Sequence, residues 1–246
     1  MSAMAFTRAK PENAEKIRRF WKEAAAGPEG EGGCPVLLDG RAAKTPGGAP
    51  LALPSRALAA LIAQEWAAQG EHLEIASMPL TRLAFTVIDH VSAQRGAVAA
   101  EVARYAGSDL LCYFADGPEA LLKRQVEQWG PVLEWADCDL GLSLVRATGI
   151  IHTPQPAEAL ARVEALALAL DDFALGGVAW ATPLFGSAIL ALALQRGRLS
   201  GETAFDLSRL DEAFQEERWG VDAEAAERTA NLRRDALALD AWFGAL

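Results

Sequence analysis

The histidines, cysteines and carboxylates that could carry chemistry are not spaced as in common catalytic or metal-binding motifs. The chain has 246 residues, among them three histidines and three cysteines. No two cysteines form the Cys-x-x-Cys pair that is typical of zinc and redox sites. The sequence also lacks the GxxxxGK phosphate loop, the GxGxxG turn, the HExxH helix and the GxSxG elbow. We therefore expect no cofactor, no metal site and no nucleophilic catalysis.

Asp109 and Cys112 lie one helical turn apart, which is a spacing that could join a carboxylate to a thiol. Apolar and aromatic residues surround the cysteine, with Leu111 before it and Tyr113 and Phe114 after it. A cysteine in such surroundings usually behaves as a small buried hydrophobic residue. We interpret Cys112 as a structural thiol.

A surface suited to binding rather than to catalysis is predicted near the C-terminus, in the segment SRLDEAFQEERWG at residues 208–220. At 100° per residue, Leu207, Leu210 and Phe214 form an apolar face. Another face carries the candidate partner-binding residues Glu212, Gln215, Glu216 and Trp219, with Asp211 beside them. A tryptophan among carboxylates is typical of a binding surface, where an aromatic anchor supplies affinity and charges supply specificity.

Two other interpretations of this segment stay open at the level of sequence. In the first, the carboxylates form a solvated face and Trp219 folds back onto a neighbouring helix. In the second, the chain is a small-molecule enzyme that uses paired carboxylates, with Asp211, Glu212 and Glu216 near a pocket. A deep pocket that holds one carboxylate with a strongly raised pKa would favour the enzyme.

The elements that must position this surface begin with a short β-containing region. Residues 13–26 have the spacing of a short helix. The segment VLLDGR at residues 36–41 predicts a hairpin, because Asp and Gly tolerate the left-handed backbone of a tight turn. A third strand is predicted at residues 50–53. Pro54 and Ser55 then open a helix that ends near Gly70.

Helical periodicity dominates the chain after Ser77. Further helices are predicted at residues 94–106, 118–137, 156–170, 183–196, 200–219 and 222–240. The fold class is therefore α+β: a small N-terminal domain with an antiparallel sheet at residues 1–75, followed by a larger all-helical domain at residues 76–246.

Residues 174–195 carry no charge and are long enough to span a bilayer. The segment nevertheless contains Gly176, Gly177, Pro183 and Gly186, and tyrosine and tryptophan are missing from its charged flanks. We interpret it as a buried central helix rather than as a membrane insertion.

The charge balance restricts the partners. The chain has 33 acidic and 23 basic residues and a net charge of −10, which argues against nucleic acid and against anionic membranes. Sparse cysteines favour a reducing compartment. Because the first residues do not resemble a secretory signal or a transit peptide, we expect a bacterial cytoplasmic protein.

Blocks along most of the chain resemble the ATP-twelve chaperone family. In chain order they are RFWKEA at 19–24, VLLDGR at 36–41, KTP at 44–46, LALPS at 51–55, IAQEW at 62–66, MPLTRLA at 78–84, DLLCY at 109–113, the residues Gln125, Trp129, Pro131 and Trp135, GS at 186–187, LAL at 192–194, and DEAFQEERWG at 211–220. Order and spacing are kept from about residue 19 to residue 228.

The resemblance implies a fold and a function. Members of this family have an N-terminal β-containing domain and a C-terminal helical domain. They bind the free α subunit of the catalytic sector of F-type ATP synthase and prevent its aggregation until the β subunit replaces them. They need neither nucleotide nor metal, and they act in α-proteobacteria and in the mitochondrial matrix. An acidic residue of the C-terminal helical block is important in the family, and Glu212, with Asp211 next, is the position that we match to it.

Overall fold

A computed structural model describes residues 17–220 and 223–246. Its N-terminal part is built on antiparallel strands: β1 (Ala24–Ala26), β2 (Cys34–Leu38), β3 (Arg41–Ala42) and β4 (Ala52–Leu53). Strand β2 pairs with the other three. Asp39 and Gly40 have φ of 48° and 77°, so both adopt the left-handed backbone of a hairpin turn. The predicted hairpin and the predicted third strand are therefore confirmed.

The predicted helix at residues 13–26 is wrong for its described part, and residues 13–16 lie outside the described residues. Strand β1 occupies the end of this segment and pairs with β2. Upstream of it, the Arg19 guanidinium donates to the carbonyl oxygens of Ala67 and Gln69, and Trp21 packs edge-on against Trp66. These tertiary contacts outweigh a weak local preference for helix.

Ten α-helices follow within the described ranges. They are α1 (Arg56–Ala67), α2 (Pro79–Thr86), α3 (Arg95–Ala106), α4 (Glu119–Trp135), α5 (Ala157–Leu168), α6 (Asp172–Phe185), α7 (Ala188–Gln195), α8 (Gly201–Ser208), α9 (Leu210–Trp219) and α10 (Ala223–Gly244). A small N-terminal sheet followed by helices confirms the α+β fold class. The domain boundary at residues 75 and 76 stays a prediction; it falls in a short 3-10 turn, Ile75–Ser77.

Two breaks and one short ladder differ from the prediction. The uncharged segment forms α6 and α7 instead of one helix at 183–196, because Gly186 takes a φ of 63° and Ser187 caps α7. The predicted helix 200–219 is divided into α8 and α9 at Arg209. The helical part also contains a two-stranded parallel ladder of β5 (Tyr113–Phe114) and β6 (Ala147–Thr148), which are too short for periodicity to indicate.

The uncharged segment is interior, as predicted. In α7, the seven residues Ala188–Leu194 are all buried, and α7 packs against α3, α4, α6, α8 and α10. Within the described ranges, no helix combines the length and the apolar character that crossing a membrane requires.

Asp109 is fully buried at the N-terminus of α7. Its carboxylate accepts hydrogen bonds from the backbone N–H groups of Leu111 and Ile189, each at 3.1 Å, and from the Ser187 side chain. Burial raises the pKa of the Asp109 carboxyl to about 6, although these hydrogen bonds act in the opposite direction. Burial also raises the pKa of the Cys112 thiol to about 12, which fits a structural thiol.

Replacing a buried leucine of α7 should destabilise the protein strongly. The Leu190 side chain is fully buried, so Leu190→Ala should lower the free energy of unfolding by about 2–5 kcal/mol through lost burial and a residual cavity. Urea denaturation measures the change. Leu168→Ala, at the exposed end of α5, is the matched control and should stay within about 0.5 kcal/mol. Equal, small effects in both variants would mean that α7 is not core.

Asp109 should make stability depend on pH. Because its pKa is raised in the folded state, its favourable contribution is complete below the unfolded pKa of 3.8 and is lost as pH rises through about 6. Each unit of difference between the folded and the unfolded pKa corresponds to about 1.4 kcal/mol of free energy of unfolding. From pH 4 to 7, the free energy of unfolding should therefore fall by about 2 kcal/mol relative to that of Asp109→Asn. A difference that instead rises with pH would show that the hydrogen bonds outweigh burial.

Candidate partner-binding site

Helix α9 presents the predicted face to solvent. Leu210 and Phe214 are buried, and the side that faces away from them is polar. Positions three, four and seven apart share one side of a helix, and here they carry the exposed Glu212, Gln215 and Trp219 and the half-buried Glu216. The Trp219 side chain is 78% exposed, so it does not fold back onto a neighbouring helix. We call these four residues the acidic face.

Asp211 points away from the acidic face and towards α4. Its carboxylate accepts a hydrogen bond of 2.7 Å from the side-chain amide of Gln125. Burial raises the pKa of Asp211, and the bond from Gln125 acts against that rise. Gln125 is fully buried, and its oxygen accepts the backbone N–H of Ala115 at 2.8 Å. Asp211 is thus part of the attachment of α9 to the helical body.

Two arginines neutralise part of the negative charge of α9. Arg209 lies 3.0 Å from Glu216 and 3.7 Å from Glu212. Arg124 of α4 makes two hydrogen bonds, at 2.8 and 3.0 Å, to the carboxylate of Glu217, and this contact lowers the pKa of Glu217. Of the two acids on the acidic face, Glu212 therefore has the more available charge.

An open groove of about 590 Å³ runs between α4, α8, α9 and α10. Its polar lining residues are Arg124, Gln128, Asp206, Arg209, Glu216, Thr229 and Arg233. Asp211 and Glu212, which the enzyme interpretation needs, do not line it.

The carboxylate whose pKa is raised to about 6, that of Asp109, is buried in the core and does not lie in the groove. The described part of the chain contains no cluster of three or more His, Cys, Asp or Glu residues that could hold a metal ion. The observations do not support the enzyme.

Two structural features were not predicted from the sequence. One is the bridging role of Gln125. The sequence alone does not show that this polar residue is buried within a helix, or what it contacts. The other is an exposed pair, Ile150 and Ile151, in the connection between α4 and α5. The sequence did contain a signal for this pair: two adjacent β-branched residues lie between Gly149 and Pro154, outside any predicted helix.

Comparisons with known proteins show which family shares this fold. Residues 18–137 match a family described as ATP12 chaperone protein. The mitochondrial protein atp12 of Schizosaccharomyces pombe is 28% identical over 223 residues, covering 86% of this chain and 76% of that protein. The crystal structure of Atp12 from Paracoccus denitrificans is 43% identical, with a TM-score of 0.85 over 93% of this chain and 97% of that one. A structure from Agrobacterium tumefaciens is 42% identical, with a TM-score of 0.84 over 92% of this chain and 84% of that one.

The bridge between α4 and α9 should be energetically important. Gln125→Leu leaves the Ala115 N–H and the Asp211 carboxylate without their buried partner, so the free energy of unfolding should fall by about 1–3 kcal/mol. Guanidinium denaturation measures it. Gln128→Leu, one turn further along α4 and exposed, should change stability by less than about 0.5 kcal/mol. If both variants behave alike, the buried bridge contributes nothing specific.

Proposed function

The chain belongs to the ATP12 chaperone family, and on this premise we propose that it binds the free α subunit of the catalytic sector of F-type ATP synthase and shields it until the β subunit takes its place. The observation that supports this proposal is the acidic face of α9, which we assign as the binding surface. A largely exposed tryptophan shares this face with an available carboxylate, that of Glu212.

Physical reasoning supports this surface as a recognition site. Tryptophan contributes more than most residues to protein interfaces when it becomes buried. Its exposure here exceeds what a side chain used for packing would keep. Glu212 can attract a basic group on a partner, and the net charge of −10 extends this attraction to longer range. Trp219 would supply affinity, and Glu212 would select the partner.

The same proposal includes the absence of catalysis. A protein that holds a subunit needs moderate affinity and a surface that a tighter-binding partner can displace; it needs no reactive group. We further propose that it works in the compartment where the catalytic sector assembles, the cytoplasm in a bacterium. All three cysteines are free thiols in the structure, which suits a reducing compartment.

Reversing the charge of Glu212 should separate binding from stability. Glu212→Lys replaces attraction by repulsion wherever the partner presents a basic group, so the Kd for the purified α subunit should rise at least about tenfold, or about 1.4 kcal/mol. The ion pair lost with Arg209 is long, at 3.7 Å, and Glu212 is about half exposed, so the free energy of unfolding should change by less than about 1 kcal/mol. Calorimetric titration and suppression of α-subunit aggregation, followed by light scattering, measure the effect.

Glu31→Lys is the matched control, because it makes the same change in net charge at an exposed turn of the N-terminal part. It should leave the Kd within about twofold, since screening in physiological salt limits long-range effects. Unaltered binding by Glu212→Lys would remove Glu212 from the proposed site. Unfolding of that variant would instead assign the residue a structural role.

A further inference from the structure

Ile150 and Ile151 are the most exposed large hydrophobic side chains in the described part of the chain, at 100% and 81%. They are neighbours, and we call them the isoleucine tip. A single exposed apolar residue needs no explanation, but an exposed apolar cluster usually marks an interaction site. Both side chains are β-branched and stiff, so little side-chain entropy would be lost when a partner covers them.

Hydrogen bonds hold the tip in this exposed position. The Gly149 N–H donates to the Phe114 carbonyl at 2.8 Å, next to the paired strands β5 and β6. The Tyr113 hydroxyl lies 3.1 Å from His152 Nδ1 and accepts the Thr153 N–H at 3.4 Å. A loop anchored on both sides of the tip cannot easily fold its isoleucines onto the body. Such a pre-formed apolar contact loses less entropy on binding than a free loop would.

The other end of the same loop is also fixed. The Gln155 side chain accepts the N–H of Val145 at 2.7 Å and donates to its carbonyl at 2.9 Å. Arg146 is paired with Asp137 at 2.6 Å. This ion pair and these two hydrogen bonds fix the base of the loop below the tip.

The tip and the acidic face are attached to one continuous piece of backbone. Tyr113 holds the tip, and two residues later the Ala115 N–H donates to Gln125, whose amide binds Asp211 of α9. Between them, the Phe114 ring packs edge-on against Trp129, with 5.9 Å between ring centroids. This series of contacts links the tip to α9 through the body of the protein.

We propose that the isoleucine tip is a second contact for the same client, where it covers apolar surface that the client later buries against its assembly partner. This inference rests on the proposed function. Permanent subunit interfaces are more apolar than other protein surfaces, so an unassembled subunit offers the chemistry that two exposed isoleucines match. Anionic membrane is a poorer partner, since the chain carries a net charge of −10.

The test uses the full chain and the purified α subunit of the catalytic sector. The double variant Ile150→Ser with Ile151→Ser should raise the Kd at least about tenfold. It should also make the heat-capacity change of binding less negative, because less apolar surface is buried. The variant Ile150→Leu with Ile151→Leu keeps the apolar area and should stay within about threefold of the wild type. Leu168→Ser, at another exposed aliphatic position, should leave the Kd unchanged.

The outcomes separate the two proposals. If the wild type does not bind the α subunit, the proposed function fails and the tip fails with it. If the wild type binds, Glu212→Lys weakens binding and the serine variant does not, the tip alone is overturned. A serine variant that loses self-association or vesicle binding while keeping client binding overturns it too. As a test independent of folding, p-benzoylphenylalanine in place of Ile150 should crosslink to the α subunit, and failure to crosslink counts against the tip.

Discussion

Helix α7 is buried on every side, and this forces the protein to satisfy the helix N-terminus from within its own core. The first N–H groups of any helix lack partners inside the helix. Water cannot reach those of α7, so the Ser187 hydroxyl accepts from Leu190 and the Asp109 carboxylate accepts from Ile189. A carboxylate is buried here in spite of the penalty because it can accept several N–H groups at once. Helices α3, α4, α6, α8 and α10 pack against α7, whose burial this arrangement makes possible.

The position of α9 follows from a second buried polar group. Helix α8 ends at Ser208, where the Leu207 carbonyl accepts the indole N–H of Trp129 at 2.9 Å. The chain then turns at Arg209, and Gln125 holds Asp211 at the start of α9. Both contacts come from one side of α4. The acidic face is therefore oriented by polar contacts from α4, while Leu210 and Phe214 supply the apolar contact with the body.

How much of this the sequence could predict depends on the range of the interactions. The Asp39-Gly40 hairpin and the Ser55 helix cap are local, so two to four residues determine them, and both were predicted. The four residues of the acidic face were predicted because helical spacing alone places them together. The bend at Arg209 and the inward turn of Asp211 depend on Trp129 and Gln125, which are about 80 residues away in sequence. Periodicity carries no information about contacts at that separation.

A surface that holds a subunit must satisfy two opposing requirements. Apolar contact gives affinity without regard to orientation. A purely apolar surface would therefore cause the protein to self-associate, or to bind any protein that exposes its hydrophobic core. Charge gives direction and selectivity but little net affinity once desolvation is counted. On α9, Glu216 pairs with Arg209 and Glu217 with Arg124, so Glu212 is the charge to which we assign selectivity, on the same face as Trp219. The isoleucine tip lies elsewhere on the same rigid frame. In the binding mode that we propose, the apolar contacts are few and separated, which suits a partner that is held and then released.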